Sequence, residues 1–561
     1  MKFLFTLGLA LFFCALVKAN NFYVTNTANS GPGSLQRAII SANANPGADY
    51  ILMNIPGIGP HTINLHTPLP PLTGATRILG NSEAGFAFPS EHTPAVIKVA
   101  INGAAMGAGS TGLSLGNYCH VVGLAIYGFD TNLKIAGNFN TVSACHIGLD
   151  ASGTVATGNS IDNVIITGNA NLLGGGASDR NVIAGAGNGI IIFPYTVGNR
   201  VIANYIGTDA TGNTTIPGNG FDGITVSSNN NEIIGNVIVG YGSNNILIGR
   251  WSENDPVPQG NIIWKNQIGH HADGSFSSFT NNCQGVSIND AMNTTIQDNV
   301  IFGNGCHGVL IDGDAATGNL VSQNAIYGNN GLAINLGLDG VTANDPGDSD
   351  VGPNQLLNYP VLQSAKIKPF STKVKGFIDT PYPRTVRVEF YANPAPHSTG
   401  YGDGQTLIGL ANPKKNGSIS TEVAPVAPGT YISAITIDSE NNTSEFSLSI
   451  EATSPGGGSG NNRTAHLPNG TLLTEESAIR VSAFPNPFFE ETTIAYQLST
   501  SQQVKLSVFD AAGQLIQVLK NAIQEAGTYQ VRFDTTNLPA GVYFYHLVTN
   551  GEVRAGKMIS K

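Results

Sequence analysis

Between Cys283 and Asp314 the chain concentrates side chains able to do chemistry: CQGVSINDAMNTTIQDNVIFGNGCHGVLIDGD. The phrase CQGVSI (Cys283–Ile288) returns as CHGVLI (Cys306–Ile311), shifted by 23 residues. If both phrases are strands, alternation turns Val286, Ile288, Val309 and Ile311 inward. It leaves Asn289 stacked beneath Asp312 on the outside, with Asp290 and Asp314 just beyond the strand ends. Two carboxylates on adjacent strands could serve as acid and base of glycoside hydrolysis. A polysaccharide lyase instead wants a Lys, Arg, Tyr or His base beside a charge-neutralising cation. His307, His270, His271, Lys265 and Arg250 supply those types, without diagnostic spacing. His307, Asp312 and Asp314 are the candidate catalytic set; the other reading is a polar strand end satisfied by turn hydrogen bonds.

The chain has two tryptophans, Trp251 and Trp264, placed where a regular spacing is broken. GRWSENDPVPQG (Gly249–Gly260) and GHHADGSFSSFTNN (Gly269–Asn282) stretch the interval from NILI at Asn245 to GVSI at Gly285 to 40 residues. Insertions in repeats project as loops and often carry function. Indole rings cover the apolar faces of sugars while Arg250, Asn254 or Asp273 would bond hydroxyls. Trp251, Trp264, Arg250 and Asp273 are thus candidate substrate-binding residues, although Trp264 could simply cover a surface. His270-His271 lacks a third ligand at zinc-site spacing. NDPGDSDVGPN gathers Asp345, Asp348 and Asp350 on a turn-rich loop, a candidate calcium site without EF-hand spacing or else a solvated acidic loop. No phosphate loop or dinucleotide glycine motif occurs.

What positions these residues is a repeat. Gly-apolar-x-apolar recurs at Gly189, Gly223, Gly285, Gly308 and Gly331, alternating with Asn-x-Ile at Asn204, Asn236, Asn266, Asn299 and Asn324. Short β-branched strands with turns every few residues cannot fold alone. Stacked in parallel, each coil covers its neighbour's hydrogen-bonding edge and buries its inward Ile and Val. The expected fold class is all-β: a right-handed parallel β-helix followed by two β-sandwich domains. At roughly 23 residues per coil, residues 80–350 would make about a dozen coils and a rod on the order of 55 Å. Equivalent positions lie about 4.8 Å apart, so Cys283 sits beneath Cys306, as a disulfide or as two stacked thiols. The asparagines would form amide ladders along the rod. GSLQRAIISANANPGAD (Gly33–Asp49) reads as an amphipathic helix starting near Ser34, with Leu35, Ala38, Ile39 and Ala42 on one face, capping the N-terminal end.

The 561 residues exceed one compact core. Only 11% are charged, with 69 glycines, unlike a helical enzyme. The formal charge of −11 and the lack of a basic stripe exclude nucleic acid as the main partner. MKFLFTLGLALFFCALVKA reads as a secretory signal cleaved near Ala19–Asn20, with no later segment apolar enough to span a bilayer.

VTNTANSGPGSLQRAIISANANPGAD (Val24–Asp49) resembles the CSLREA-type cap that precedes bacterial right-handed β-helices. HIGLDASG (His146–Gly153), its near copy YIGTDATG (Tyr205–Gly212) and NLLGGGASDRNVIAGAGNGI (Asn171–Ile190) resemble the pectate-lyase-like superfamily. GCHG (Gly305–Gly308) faintly resembles the histidine motif of β-helix polygalacturonases, whose paired-aspartate and Arg-x-Lys motifs find no match here. VKGFIDT, TVRVEFYA and YISAITIDSENNTSEFS read as an immunoglobulin-like sandwich, and SPGGGSGNNRT (Ser454–Thr464) as a linker. FPNPF (Phe484–Phe488), VFDAAGQLI (Val508–Ile516), LPAGVYFYHL (Leu538–Leu547) and terminal GKMISK resemble the type A sorting domain of the type IX secretion system. That resemblance implies a Bacteroidetes-type bacterium, the type IX machinery as partner, and release or attachment at the outer-membrane surface.

The expected organisation is a signal peptide (1–19), cap and first coils (20–80), β-helix (81–352), Ig-like sandwich (353–452), linker (453–474) and sorting domain (475–561). The functional expectation is an exported protein that engages extracellular polysaccharide. Two alternatives stand beside it: a polysaccharide lyase or glycoside hydrolase working on the β-helix groove, and a non-catalytic surface adhesin.

Overall fold

A computed structural model describes residues 19–156, 160–216, 220–275, 283–454 and, with short gaps, 480–560. The expected signal segment up to residue 18 and nearly all of the expected linker lie outside the described residues. The described chain divides into two units, up to Gly457 and from Gly458 onward.

The first unit is a parallel β-helix. Three parallel sheets of eleven, ten and nine strands run along it, and the chain visits them in turn. We call them the first sheet (Asn21–Val24 to Leu320–Ser322), the second (His61–Asn64 to Ala325–Tyr327) and the third (Thr111–Leu115 to Ile334–Leu336). Register is strict: Val286, Ser287, Ile288 and Asn289 pair with Val309, Leu310, Ile311 and Asp312. Val286, Ile288, Val309 and Ile311 are fully buried, and Asn289 lies beneath Asp312 as alternation requires. The nine third-sheet strands correct the dozen coils expected over residues 80–350, while the eleven-stranded first sheet makes the whole stack about 50 Å long at one strand spacing per coil. The interval of 23 holds only locally, because other coils carry loops such as Leu149–Ala156 and Thr208–Thr215, each closed by an antiparallel bridge.

Between the first and second sheets the backbone turns through one left-handed residue, including Ala203, Lys265, Asp298 and Gln323. An asparagine follows each. Asn181, Asn204, Asn236, Asn266, Asn299 and Asn324 form a ladder in which each Nδ2 donates to the next Oδ1 at 2.9–3.1 Å. The same Oδ1 accepts the backbone N–H of the preceding asparagine, satisfying a donor that the sharp turn would orphan. This polar spine is buried and self-satisfied, which is why the sequence tolerates so many internal asparagines.

Both ends of the stack are closed. At the N-terminal end the Leu35–Ala44 helix starts at Ser34, whose side chain accepts from Arg37 N, and buries Leu35, Ala38, Ile39 and Ala42. At the other end, strands from Val361–Ile367 to Ile450–Thr453 form a seven-stranded sheet with its own core around Val374, Val388 and Phe390. This sandwich also seals the β-helix. Ile326 N donates to Gly404 O, and Gly404 N returns a bond to Ile326 O. Val321 N donates to Thr443 Oγ1, and Leu336 N to Glu445 Oε1. Tyr391, Ile435, Ile437 and Phe446 join the β-helix core. Bare strand edges that would otherwise template association are thereby satisfied.

The second unit pairs a three-stranded sheet (Arg480–Phe484, Glu491–Leu498, Gly527–Asp534) with a four-stranded one (Gln502–Asp510, Leu515–Gln524, Gly541–Thr549, Glu552–Ser560). Ile494, Leu506, Phe533 and Leu547 are buried in its core.

Candidate functional site

The outer face of the third sheet presents a row in which Ile191, Thr225, Leu247, Ser287 and Leu310 occupy successive rungs. Over the first three of these opens a cleft of about 400 Å³. Trp251 forms one wall. It lies just past the strand Ile246–Gly249, remains 53% exposed, and its ring centroid is 4.9 Å from that of Phe193. Arg250 also lines the cleft; its Nη1 donates weakly to Glu253 O at 3.4 Å, and its Nε is buried without a protein partner. The lining also includes Asn188 and Asp222. Asp222 accepts from Asn244 Nδ2 at 3.1 Å and from Thr225 Oγ1 at 3.2 Å. In the preceding coils Asn188 Nδ2 donates to Asp162 Oδ1 at 2.8 Å, and burial raises the Asp162 carboxyl above the ordinary range. The arrangement combines aromatic surface, a guanidinium and a fixed carboxylate. It can stack on a ring and bond its hydroxyls.

The other expected binding residues lie elsewhere. Trp264 belongs to the first sheet, between Ile234 and Gln297. Its Nε1 donates to Asp298 Oδ2 at 2.9 Å, and Lys265 Nζ sits 4.2 Å from its ring centroid, so its ring face is occupied. Asp273 lies in the loop after the second-sheet strand Gln267–Ile268. The expected grouping of Trp251, Trp264, Arg250 and Asp273 therefore reduces to Trp251 and Arg250. The physical reason is that Trp251 and Asp273 follow strands of the third and second sheets, while Trp264 lies on a first-sheet strand.

The catalytic candidates are spread along one strand. His307 precedes the strand Val309–Asp312, and Asp312 ends it, so the two are on the order of 15 Å apart along the extended chain. The carboxylates of adjacent coils lie nearer one another: Asp290 N donates to Asp312 O at 2.9 Å, and Asp290 Oδ1 accepts from Ala315 N at 3.4 Å. His307 Nδ1 accepts from Leu332 N at 2.9 Å, tying it to the next coil, and burial lowers its pKa. Asp314 is exposed beyond the strand. Asp222, Asn188 and Phe193 were not singled out in the sequence; only the spacing of Gly189 and Gly223 could have aligned the coils that bring them together.

His270 and His271 fall into place as packing. QIGHHADG (Gln267–Gly274) is a third copy of HIGLDASG and YIGTDATG, and the three loops stack: Ala210 N donates to Gly153 O, and Ala272 N to Gly212 O. His271 bridges Thr215 Oγ1 and Ser275 Oγ, and burial lowers the pKa of both histidines.

Cys283 and Cys306 lie on neighbouring coils; Cys306 N donates to Cys283 O at 3.1 Å, and their side chains are in hydrogen-bond contact. The sulfurs are thiols rather than a disulfide. Asp345, Asp348 and Asp350 present oxygens within 4.8 Å of one another. Asp345 Oδ1 and Asp350 Oδ1 are enclosed and lack a protein partner, while Asp348 Oδ1 accepts from Asn358 N at 2.8 Å. Such oxygens suit a hard cation.

The comparisons bear chiefly on the C-terminal unit. A family described as the secretion system C-terminal sorting domain matches residues 482–561. The chain carries a type IX sorting domain. It is therefore exported by the type IX system to the cell surface or the medium. Among the described residues no helix is long and apolar enough to cross a membrane. No curated relative matches the chain. Solved structures similar to it include the A-module of a mannuronan C-5 epimerase from Azotobacter vinelandii, at 16% identity over 56% of this chain and 79% of that one, TM-score 0.39. Another is a periplasmic alginate epimerase, at 13% identity over 47% and 58%, TM-score 0.25. A third is a tailspike protein of an Escherichia coli O157:H7 bacteriophage, at 10% identity over 94% and 65%, TM-score 0.25. At these scores they decide neither substrate nor activity, and the β-helix rests on its own strand pairing.

Proposed function

We propose that this exported β-helix protein binds polysaccharide on the outer face of its third sheet, with Trp251 as the stacking platform. One observation carries the reading: a half-exposed indole beside Phe193 at the wall of a cleft that also holds Arg250, Asn188 and Asp222. An apolar ring surface with a few oriented polar groups is what a sugar ring requires. Parallel coils repeat the face every strand spacing, so a chain of sugars can run along it. Export brings the face to where such polymers are found. The test is affinity electrophoresis of the full chain against a panel of neutral and acidic polysaccharides. Retardation by at least one polymer, relieved in Trp251→Ala, supports the reading. Appearance of reducing ends or unsaturated products, lost in Asp222→Asn, would replace it with the enzyme reading; no retardation by any polymer would leave the adhesin.

The loop of Asp345, Asp348 and Asp350 has a structural reading within the same proposal. A calcium ion held there would brace the junction between the last coil and the sandwich, where Gly347 N donates to Asp379 Oδ2 and Asn358 Nδ2 to Asp379 O.

A further inference from the structure

A second cleft, of about 510 Å³, opens where first-sheet strands turn into second-sheet strands. Its lining includes apolar Ala203 and Val237, the amides Asn213 and Gln267, and the carboxylates Glu91 and Asp273. Arg180 reaches it from the turn after Ala177–Asp179, and its guanidinium lies 4.2 Å from the Tyr205 ring centroid. Arg180 is only 9% exposed. Yet none of the ion pairs among the described residues includes it. A guanidinium stays charged at any ordinary pH, and a buried charge without a counter-ion is costly. The Tyr205 face offsets part of that cost and leaves the planar fork of N–H donors along its edge.

Gln267 supplies an independent observation. The residue lines the same cleft, and its Oε1 is buried and accepts no hydrogen bond. The cleft thus holds a guanidinium that no ion pair among the described residues includes, and a buried acceptor without a partner. The complementary molecule carries a planar carboxylate for Arg180 and a hydroxyl donor for Gln267. Glu91 and Asp273 can accept further hydroxyls and disfavour a dianion.

We propose that this cleft is a binding site for a hydroxylated monocarboxylate of single-sugar size, its carboxylate on Arg180 and a hydroxyl on Gln267. The site lies on different sheets from Trp251 and stands independently of the polysaccharide reading.

The experiment is titration calorimetry of the full chain with sodium glucuronate, glucose, glucuronate methyl ester and inorganic phosphate. Glucuronate binds; glucose and the ester bind at least tenfold more weakly; Arg180→Gln lowers glucuronate affinity at least tenfold. Arg180→Lys, which keeps charge but not the fork, also weakens it, and Asp273→Asn leaves it equal or tighter. Should Arg180→Gln fail to fold by circular dichroism, Gln267→Leu takes its place, with a loss of fivefold or more expected. The proposal is overturned by absent glucuronate binding, by phosphate binding more tightly than glucuronate, or by undiminished binding in a folded Arg180 or Gln267 variant. Loss of glucuronate binding in Trp251→Ala would also overturn it, because the ligand would then sit on the third sheet.

Discussion

Ser322 Oγ donates to Glu389 Oε1 at 2.6 Å, tying the last first-sheet strand of the β-helix to the sandwich that closes it. Glu389 is fully buried and accepts also from Gln323 N at 3.0 Å and Tyr391 Oη at 2.6 Å, with Arg387 Nη2 at 3.1 Å. Glu389→Ala removes an acceptor shared by four donors and leaves Arg387 without its carboxylate. The expected loss is ~3–5 kcal/mol, read as a lower urea midpoint for the first unit. Aggregation should rise with it, because the exposed end strands can pair with other chains. An unchanged midpoint would show that the sandwich merely follows the β-helix instead of sealing it.

Glu445 makes the same junction sensitive to pH. Its carboxylate accepts from Leu336 N and Thr342 N, but burial raises its pKa from 4.5 to about 7. A carboxyl raised on folding favours the protonated folded state. Its contribution is full below the ordinary carboxylate pKa and is lost as pH rises through about 7. The ceiling on that loss is on the order of 3 kcal/mol. The denaturation midpoint should therefore fall between pH 5 and pH 8 by an amount that Glu445→Gln reduces. An equal slope in the variant would assign the pH dependence elsewhere.

For the acidic loop, burial raises the Asp348 and Asp350 carboxyls, with repulsion from Asp345 adding to it. A bound cation would reverse that repulsion. Calcium is expected to raise the melting temperature at neutral pH and a chelator to lower it. Asp350→Asn should abolish the calcium increment while slightly stabilising the metal-free chain. A melting temperature indifferent to both calcium and chelator refutes the site.

Oxidation should distinguish the four cysteines of the described chain. Cys119 and Cys145 are buried, and burial pushes the Cys145 thiol up to about 12. Cys283 and Cys306 are partly exposed and stacked on adjacent coils, within disulfide reach. Mild thiol oxidant should remove two titratable thiols, and Cys283→Ser should prevent that loss within a monomer. Loss of all four thiols together would mean that the coils open first.

Much of this architecture was legible, for reasons particular residues make plain. Val286 and Ile288 alternate with Ser287 and Asn289, and Val309 and Ile311 repeat them 23 residues on, so period and register could be read where two coils share one length. Ser34 followed by an apolar face marked the capping helix. The third copy, QIGHHADG, escaped notice because it shares with the others only the small residues its turn needs and the preceding Ile-Gly. Glu389 looks like an ordinary outward residue of a strand; its burial depends on the sandwich packing against Ser322. Asp222 sits in a Gly-rich stretch that reads as a turn. Variable coil lengths also hide which of the three sheets a strand joins, and that alone separates Trp251 from Trp264.

That separation yields the sharpest test of the binding reading. Trp251 offers a ring to solvent beside Phe193, whereas Trp264 has its indole N–H on Asp298 and one face under Lys265. Stacking on an aromatic contributes roughly 0.5–1.5 kcal/mol beyond the area it buries. Trp251→Ala should weaken polysaccharide binding about tenfold, with the urea midpoint nearly unmoved, because a half-exposed ring contributes little to folding. Trp264→Ala should do the opposite: affinity within twofold, but stability lower by ~1–3 kcal/mol, since Asp298 loses a donor and Ile234 and Gln297 a neighbour. Should Trp264→Ala weaken binding while Trp251→Ala does not, the sugar runs along the first sheet, and the third-sheet cleft is not its site.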